Sequence, residues 1–151
     1  MTPLFKKLNF KNQSHIISLY HPETFILELD QMAQVAKVID DVSTVDEIEF
    51  VITFAQTQEV LDRAIGDIVP LVKGDALVWF AYPKKSSKRY QCEFDRDNGW
   101  TLLGENGFEP VRAVAIDEDW SALRFRKVEY IKKMTRGFAI SREGQKKVSK
   151  K

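Results

Sequence analysis

The chain has 151 residues, 44% of them hydrophobic and 30% charged, with a net charge of +1 and a single cysteine. These totals fit one α/β-sized domain with a real core, and they exclude a disordered chain, a collagen-like chain and a disulfide-built mini-protein. No apolar run approaches the roughly 18 residues of a membrane-spanning helix, and Met-Thr-Pro-Leu-Phe-Lys-Lys lacks the apolar core of a leader, so the expected compartment is the cytoplasm.

In chain order, His15 to Tyr20 is short, β-branched and aromatic, and predicts a first strand stopped by His21-Pro22. Phe25, Ile26, Leu29 and Met32 recur at helical spacing over residues 23–32, with Pro22 suited to the first helical turn. Val35 to Val42 predicts a second strand. Ile48 to Ala55 is continuously apolar enough for a central strand covered on both faces. Thr57 can cap a helix over 57–72 whose apolar face is Val60, Leu61, Ala64, Ile65, Ile68, Val69 and Val72, with Pro70 ending it and Gly74 supplying a left-handed residue.

Ala76 to Tyr82 reads as another buried strand, and it opens into Pro83-Lys84-Lys85-Ser86-Ser87-Lys88-Arg89. Tyr90 to Phe94 suits a short edge strand or irregular chain. Asp97 can cap a brief helix holding Trp100, Leu102 and Leu103 and closed by Gly107. Val111 to Ile116, the turn Asp117-Glu118-Asp119 and Trp120 to Phe125 predict an antiparallel hairpin. The expected architecture is one α/β domain over residues 1–126, a mixed sheet of five or six strands with helices on both faces and a C-terminal hairpin. Residues 127–151 are expected to form a basic helix or tail. Residues 1–126 carry 14 Lys/Arg against 20 Asp/Glu, whereas 127–151 carry 9 against 2.

Three segments carry a resemblance. Trp79-Phe80-Ala81-Tyr82-Pro83-Lys84, the step Asp95-Arg96-Asp97, and Asp117-Glu118-Asp119-Trp120-Ser121-Ala122-Leu123-Arg124-Phe125-Arg126 resemble the motifs of a small bacterial domain-of-unknown-function family. The resemblance covers the layout of residues 15–126 and implies a compact cytosolic α/β domain. It implies no chemistry, because that family brings no substrate or cofactor with it.

The loop Lys84 to Arg89 follows a buried strand, which is where open α/β sheets place ligands. Lys84, Lys88 and Arg89 could neutralise a phosphate or carboxylate, with Ser86 or Ser87 donating hydrogen bonds. An exposed solubilising loop explains the same residues. Without glycines, the loop is neither a P-loop nor a dinucleotide fingerprint. Arg124 and Arg126 share one strand face with Trp120 and Ala122 and could grip a planar anion, with Asp117 nearby in support; pairing with an acidic neighbour is the structural alternative. Asp95, Asp97, Asp117 and Asp119 lack the spacing of a calcium loop and suit caps and turns. His15, His21 and Cys92 match no zinc spacing, and a Cys92 nucleophile with either histidine as base has no local motif to support it.

Tyr130, Met134 and Phe138 recur at i, i+4 and i+8 among lysines, as in a helix docking an apolar stripe or a segment binding nucleic acid. The residues favour a non-enzymatic binding module for a small anion or an acidic protein surface, with no cofactor and no metal. An enzyme acting on a phosphorylated or carboxylated small molecule stands second, and nucleic-acid binding through the tail third.

Overall fold

The computed structural model describes residues 1–131. Thr2 accepts a hydrogen bond from the Phe5 amide and starts α1 (Pro3–Lys7), a short helix that the sequence reading did not anticipate. Then follow β1 (His15–Leu19), α2 (Ile26–Met32, entered through a 3-10 turn at Glu23–Phe25), β2 (Lys37–Ile39) and β3 (Ile48–Phe54). The rest is α3 (Gln58–Ile68), β4 (Val72–Pro83), α4 (Thr101–Glu105), β5 (Phe108–Ala115) and β6 (Trp120–Lys127).

One six-stranded sheet runs in the order β2-β1-β3-β4-β6-β5. The first four strands are parallel, and β6 and β5 continue the sheet antiparallel to β4 and to each other. Burial explains the residue types. Phe50, Ile52, Phe54, Trp79 and Ala81 turn to one face, under Phe5 of α1 and Leu29 and Met32 of α2. Val51, Val78, Phe80, Leu123 and Phe125 turn to the other, under Leu61, Ala64, Ile65 and Ile68 of α3 and Leu103 of α4. Both faces are covered, as the mixed α/β reading requires.

Several boundaries shift for identifiable reasons. β2 is confined to Lys37–Ile39, because Asp41 caps a 3-10 turn at Val42–Thr44 by accepting from the Ser43 amide. Thr57 does cap α3, accepting from the Val60 amide at 3.2 Å, and the helix gives way to a 3-10 turn at Val69–Leu71 around Pro70. Gly74, at φ 61, lies within β4 and does not close the helix. Tyr90 to Phe94 forms no strand. Asp97 does not cap α4, whose preceding turn is organised by Asp95 instead. β6 extends past the expected end at Phe125 to Lys127, and a 3-10 turn continues to Tyr130. The helical stripe that includes Met134 and Phe138 lies outside the described residues.

Gly99 is the glycine that this arrangement most requires. It sits at φ 104, where a Cβ would stand 2.5 Å from the Phe94 Cβ, and its carbonyl accepts from Gln58 Nε2 at 2.8 Å. Gly99→Ala is therefore expected to destabilise the fold by roughly 2 kcal/mol or more, read as a lower urea midpoint with unchanged slope.

Candidate functional site

Where β4 emerges from the core at Pro83, a cleft of about 740 Å³ opens beyond its carboxyl end. Its wall comes from the end of β4 (Tyr82, Pro83), the basic loop (Lys84, Lys85, Ser87), the irregular stretch Tyr90 to Arg96, and Ser121 of β6. This is the carboxyl edge of the parallel strands, where doubly wound sheets receive ligands.

A hairpin turn holds the basic loop in place. The Lys84 amide donates to the Asp119 carbonyl at 2.8 Å, and Ser87 Oγ donates to Asp119 Oδ1 at 2.8 Å. Ser87 Oγ in turn accepts from the Tyr90 amide, and the Tyr90 ring packs on Trp120 with centroids 5.0 Å apart. Asp117 organises the turn from within, accepting from the amides of Asp119 and Trp120 at 2.8 and 2.9 Å.

The structure divides the residues singled out from sequence. Lys84 lines the cleft; Ser86, Lys88 and Arg89 do not, and Arg89 instead lies 5.5 Å from the Tyr90 ring centroid. Trp120 is buried against Phe54 and Tyr90, so it supports the loop and is unavailable for stacking on a ligand. Arg124 and Arg126 do not join Lys84. Register places Pro83 opposite Trp120 but Trp79 opposite Arg124. At about 3.3 Å per residue, Arg126 is roughly 20 Å further along β6 than Trp120. There its guanidinium grips Asp75 at 2.8 and 2.5 Å, the acidic pairing weighed as the alternative. The loop and the Arg124/Arg126 face therefore lie apart and do not make one anion site.

Sequence reasoning did not assign Lys85, Arg96 or Tyr82 to the site, and all three line the cleft. Tyr82 was read as strand core only, and it is 7% exposed, but it borders the opening. Burial pushes its phenol up, partly opposed by Ser121 and Arg96. Burial also pushes the Cys92 thiol up, with Asp95 and Glu93 adding to the rise. Asp95 goes the other way: the Asp97 amide, foremost, holds its carboxyl below the usual range, with Asn98 and Lys85 assisting. Glu93 accepts from the Gln58 amide at 2.9 Å at the start of α3.

At neutral pH the cleft therefore offers cations and protonated Tyr82 and Cys92, and its carboxylates are committed to backbone donors. It can bind an anion and donate hydrogen bonds to it. Neither histidine lines it: His21 Nδ1 meets Ser18 Oγ at 2.9 Å, and His15 Nε2 accepts from the Glu49 amide at 3.1 Å. Among the described residues no three His, Cys, Asp or Glu side chains cluster as a metal would need, and no helix is long and apolar enough to cross a membrane.

Two consequences are measurable. Asp119→Ala should release the basic loop at a cost of about 1–3 kcal/mol and make the chain after Pro83 susceptible to limited trypsin digestion, while Asp119→Asn retains most of the protection. Because its pKa is raised, Cys92 should react with iodoacetamide at pH 8 more slowly in the folded than in the urea-unfolded chain, the gap closing as pH rises well above the ordinary thiol range.

No family model matches the chain, and no curated protein is similar to it in sequence. Solved structures are similar in fold. A SAM-dependent methyltransferase from Aquifex aeolicus aligns over 81% of this chain and 86% of its own, with a TM-score of 0.52 and 9% identity. Magnesium protoporphyrin IX methyltransferase from Synechocystis PCC 6803, with SAM bound, aligns over 82% and 74%, with a TM-score of 0.51 and 13% identity. The pyocyanin biosynthetic protein PhzM aligns over 81% of this chain but 52% of its own, with a TM-score of 0.50 and 11% identity. At these identities the likeness is one of fold. It nonetheless overturns the expectation of a non-enzymatic binding module, since the fold similar to this one is that of methyltransferases.

Proposed function

We propose that the chain is an enzyme acting on a small phosphorylated or carboxylated molecule held in the cleft beyond β4. One observation carries this reading: Lys84, Lys85 and Arg96 surround the same opening as Tyr82 and Cys92, whose phenol and thiol burial pushes up. The cations would neutralise and orient the substrate anion. The Tyr82 hydroxyl, beside Ser121, would donate a hydrogen bond where negative charge develops. The free thiol of Cys92 supports a reducing compartment, the cytoplasm. We also keep the bacterial family resemblance as a proposal; its two principal motifs are the strands β4 and β6, which pair from Val78 and Phe125 to Pro83 and Trp120.

Methyl transfer from SAM is the activity that the similar folds bring into question. In a doubly wound sheet the place for such a group is the switch point between β1 and β3, at the turn into α2, where glycines let the ligand approach the backbone. Here that turn reads Tyr20-His21-Pro22-Glu23, without glycine. Tyr20 occupies φ 59 with a full side chain, and Pro22 has no N–H to offer. Asp40, exposed beyond β2, has a carboxylate of the kind that meets ribose hydroxyls. The turn does not fit SAM, and no step is drawn through it.

In a thermal-shift screen, one or more phosphorylated or carboxylated metabolites should raise the melting temperature, and NMR should then show turnover of that compound. Lys84→Ala/Lys85→Ala should abolish the shift, and Tyr82→Phe should keep it while lowering turnover by about 100-fold. A shift that survives the double lysine variant removes the cleft as the site; binding without turnover removes the enzyme reading. SAM and S-adenosylhomocysteine should leave the melting temperature unchanged, and stabilisation by either would restore methyl transfer.

A further inference from the structure

Three arginines stand apart from the cleft. Arg124 and Arg126 lie two residues apart on β6, and Arg112 of β5 is the cross-strand partner of Arg124. Cross-strand partners share a face, and Val114 and Ala122, the next such pair, pack on the side of α1 and α2. The cluster therefore sits on that face of the hairpin, away from the carboxyl edge of β4.

Its members are unequally satisfied. Arg126 is fully engaged with Asp75 through two hydrogen bonds. Arg124, half-buried between Trp79 and Arg112, has an Nε with neither solvent nor a hydrogen-bond partner. Burial is the main influence lowering its pKa; Arg126 and Arg112 add to this, and Asp75, already held by Arg126, opposes it. Glu109, opposite Arg126, is fully buried and has interactions of its own. A guanidinium cannot shed its proton to escape this environment. Arg112 and Arg124 thus stand side by side on neighbouring strands while Asp75 is held by Arg126.

We propose that Arg112 and Arg124 bind a phosphate group on the α1/α2 face of the β5–β6 hairpin, with the Arg126–Asp75 pair as its fixed wall. The chemistry selects phosphate over carboxylate. Two guanidiniums on neighbouring strands set two positive charges side by side; a carboxylate brings one negative charge and two oxygens, whereas a phosphate monoester carries about −1.5 to −2 charge and three free oxygens.

The test is isothermal titration of the full chain with inorganic phosphate and, separately, glycerol phosphate, at constant ionic strength. Arg112 is exposed, so Arg112→Ala keeps the fold, and it should weaken phosphate binding about tenfold. Arg63→Ala, an exposed arginine of α3 on the opposite face of the sheet, should leave this binding unchanged, which separates the site from general surface charge. Tighter binding of glycerol phosphate than of inorganic phosphate would assign a phosphorylated molecule as the ligand, and the reverse would assign free phosphate. Undiminished affinity in Arg112→Ala, an equal loss in Arg63→Ala, or no binding to the native chain overturns the proposal. In phosphate-free buffer Arg124→Gln should melt no lower than the native chain; a large fall would reveal an internal partner for Arg124 and would equally overturn it.

Discussion

Everything in this molecule is arranged around β4. It is hydrogen-bonded on both edges, to β3 in parallel and to β6 in antiparallel, and every residue from Leu77 to Pro83 is buried. Such a strand has no tolerance for charge, so it is built of Leu77, Val78, Trp79, Phe80, Ala81 and Tyr82, alternately serving the two layers. The Trp79 indole, fully buried, donates to the Leu8 carbonyl at 3.0 Å and so anchors the end of α1 to the sheet. Because burial stops at Pro83, cations can begin at Lys84, and the polarity step in the sequence becomes the lip of the cleft.

The strands with continuous apolar runs, Ile48–Phe54 and the core of β4, were legible in the sequence because double-sided burial leaves no other composition. The hairpin was legible from its acidic turn, and Thr57 from the helix that it caps. Elements held by tertiary contacts were not. α1 has five residues and too few turns to show a period, and Lys73, Gly74 and Asp75 disguise the start of β4. Tyr90 to Phe94 looks like a strand because its aromatic residues pack on Trp120, Tyr82 and Trp100, which is side-chain work without a ladder.

The candidate site was half legible for the same reason. Alternation correctly put Arg124 and Arg126 on one face, but alternation cannot say how far along the neighbouring strand a loop lies. Register decided that, and register depends on β6 pairing with β4, which no local pattern states. Nor could the sequence reveal Tyr82 as a cleft residue, since a tyrosine at the end of a buried strand looks the same whether it meets core or opening. The fold resembles that of methyltransferases while the β1 turn carries tyrosine and proline in place of glycine, so architecture and cofactor site have to be judged separately here.

The bond between Ser87 and Asp119 joins residues 32 apart in sequence, from the loop after β4 to the turn before β6. The cleft therefore has no local origin: neither the loop nor the hairpin can outline it until β6 has docked along the full length of β4. It is assembled only in the complete native state, and opening of the hairpin edge dissolves it. A molecule bound there would act as a clasp across that seam, its binding energy adding to the global unfolding free energy and leaving local fraying of the chain ends untouched.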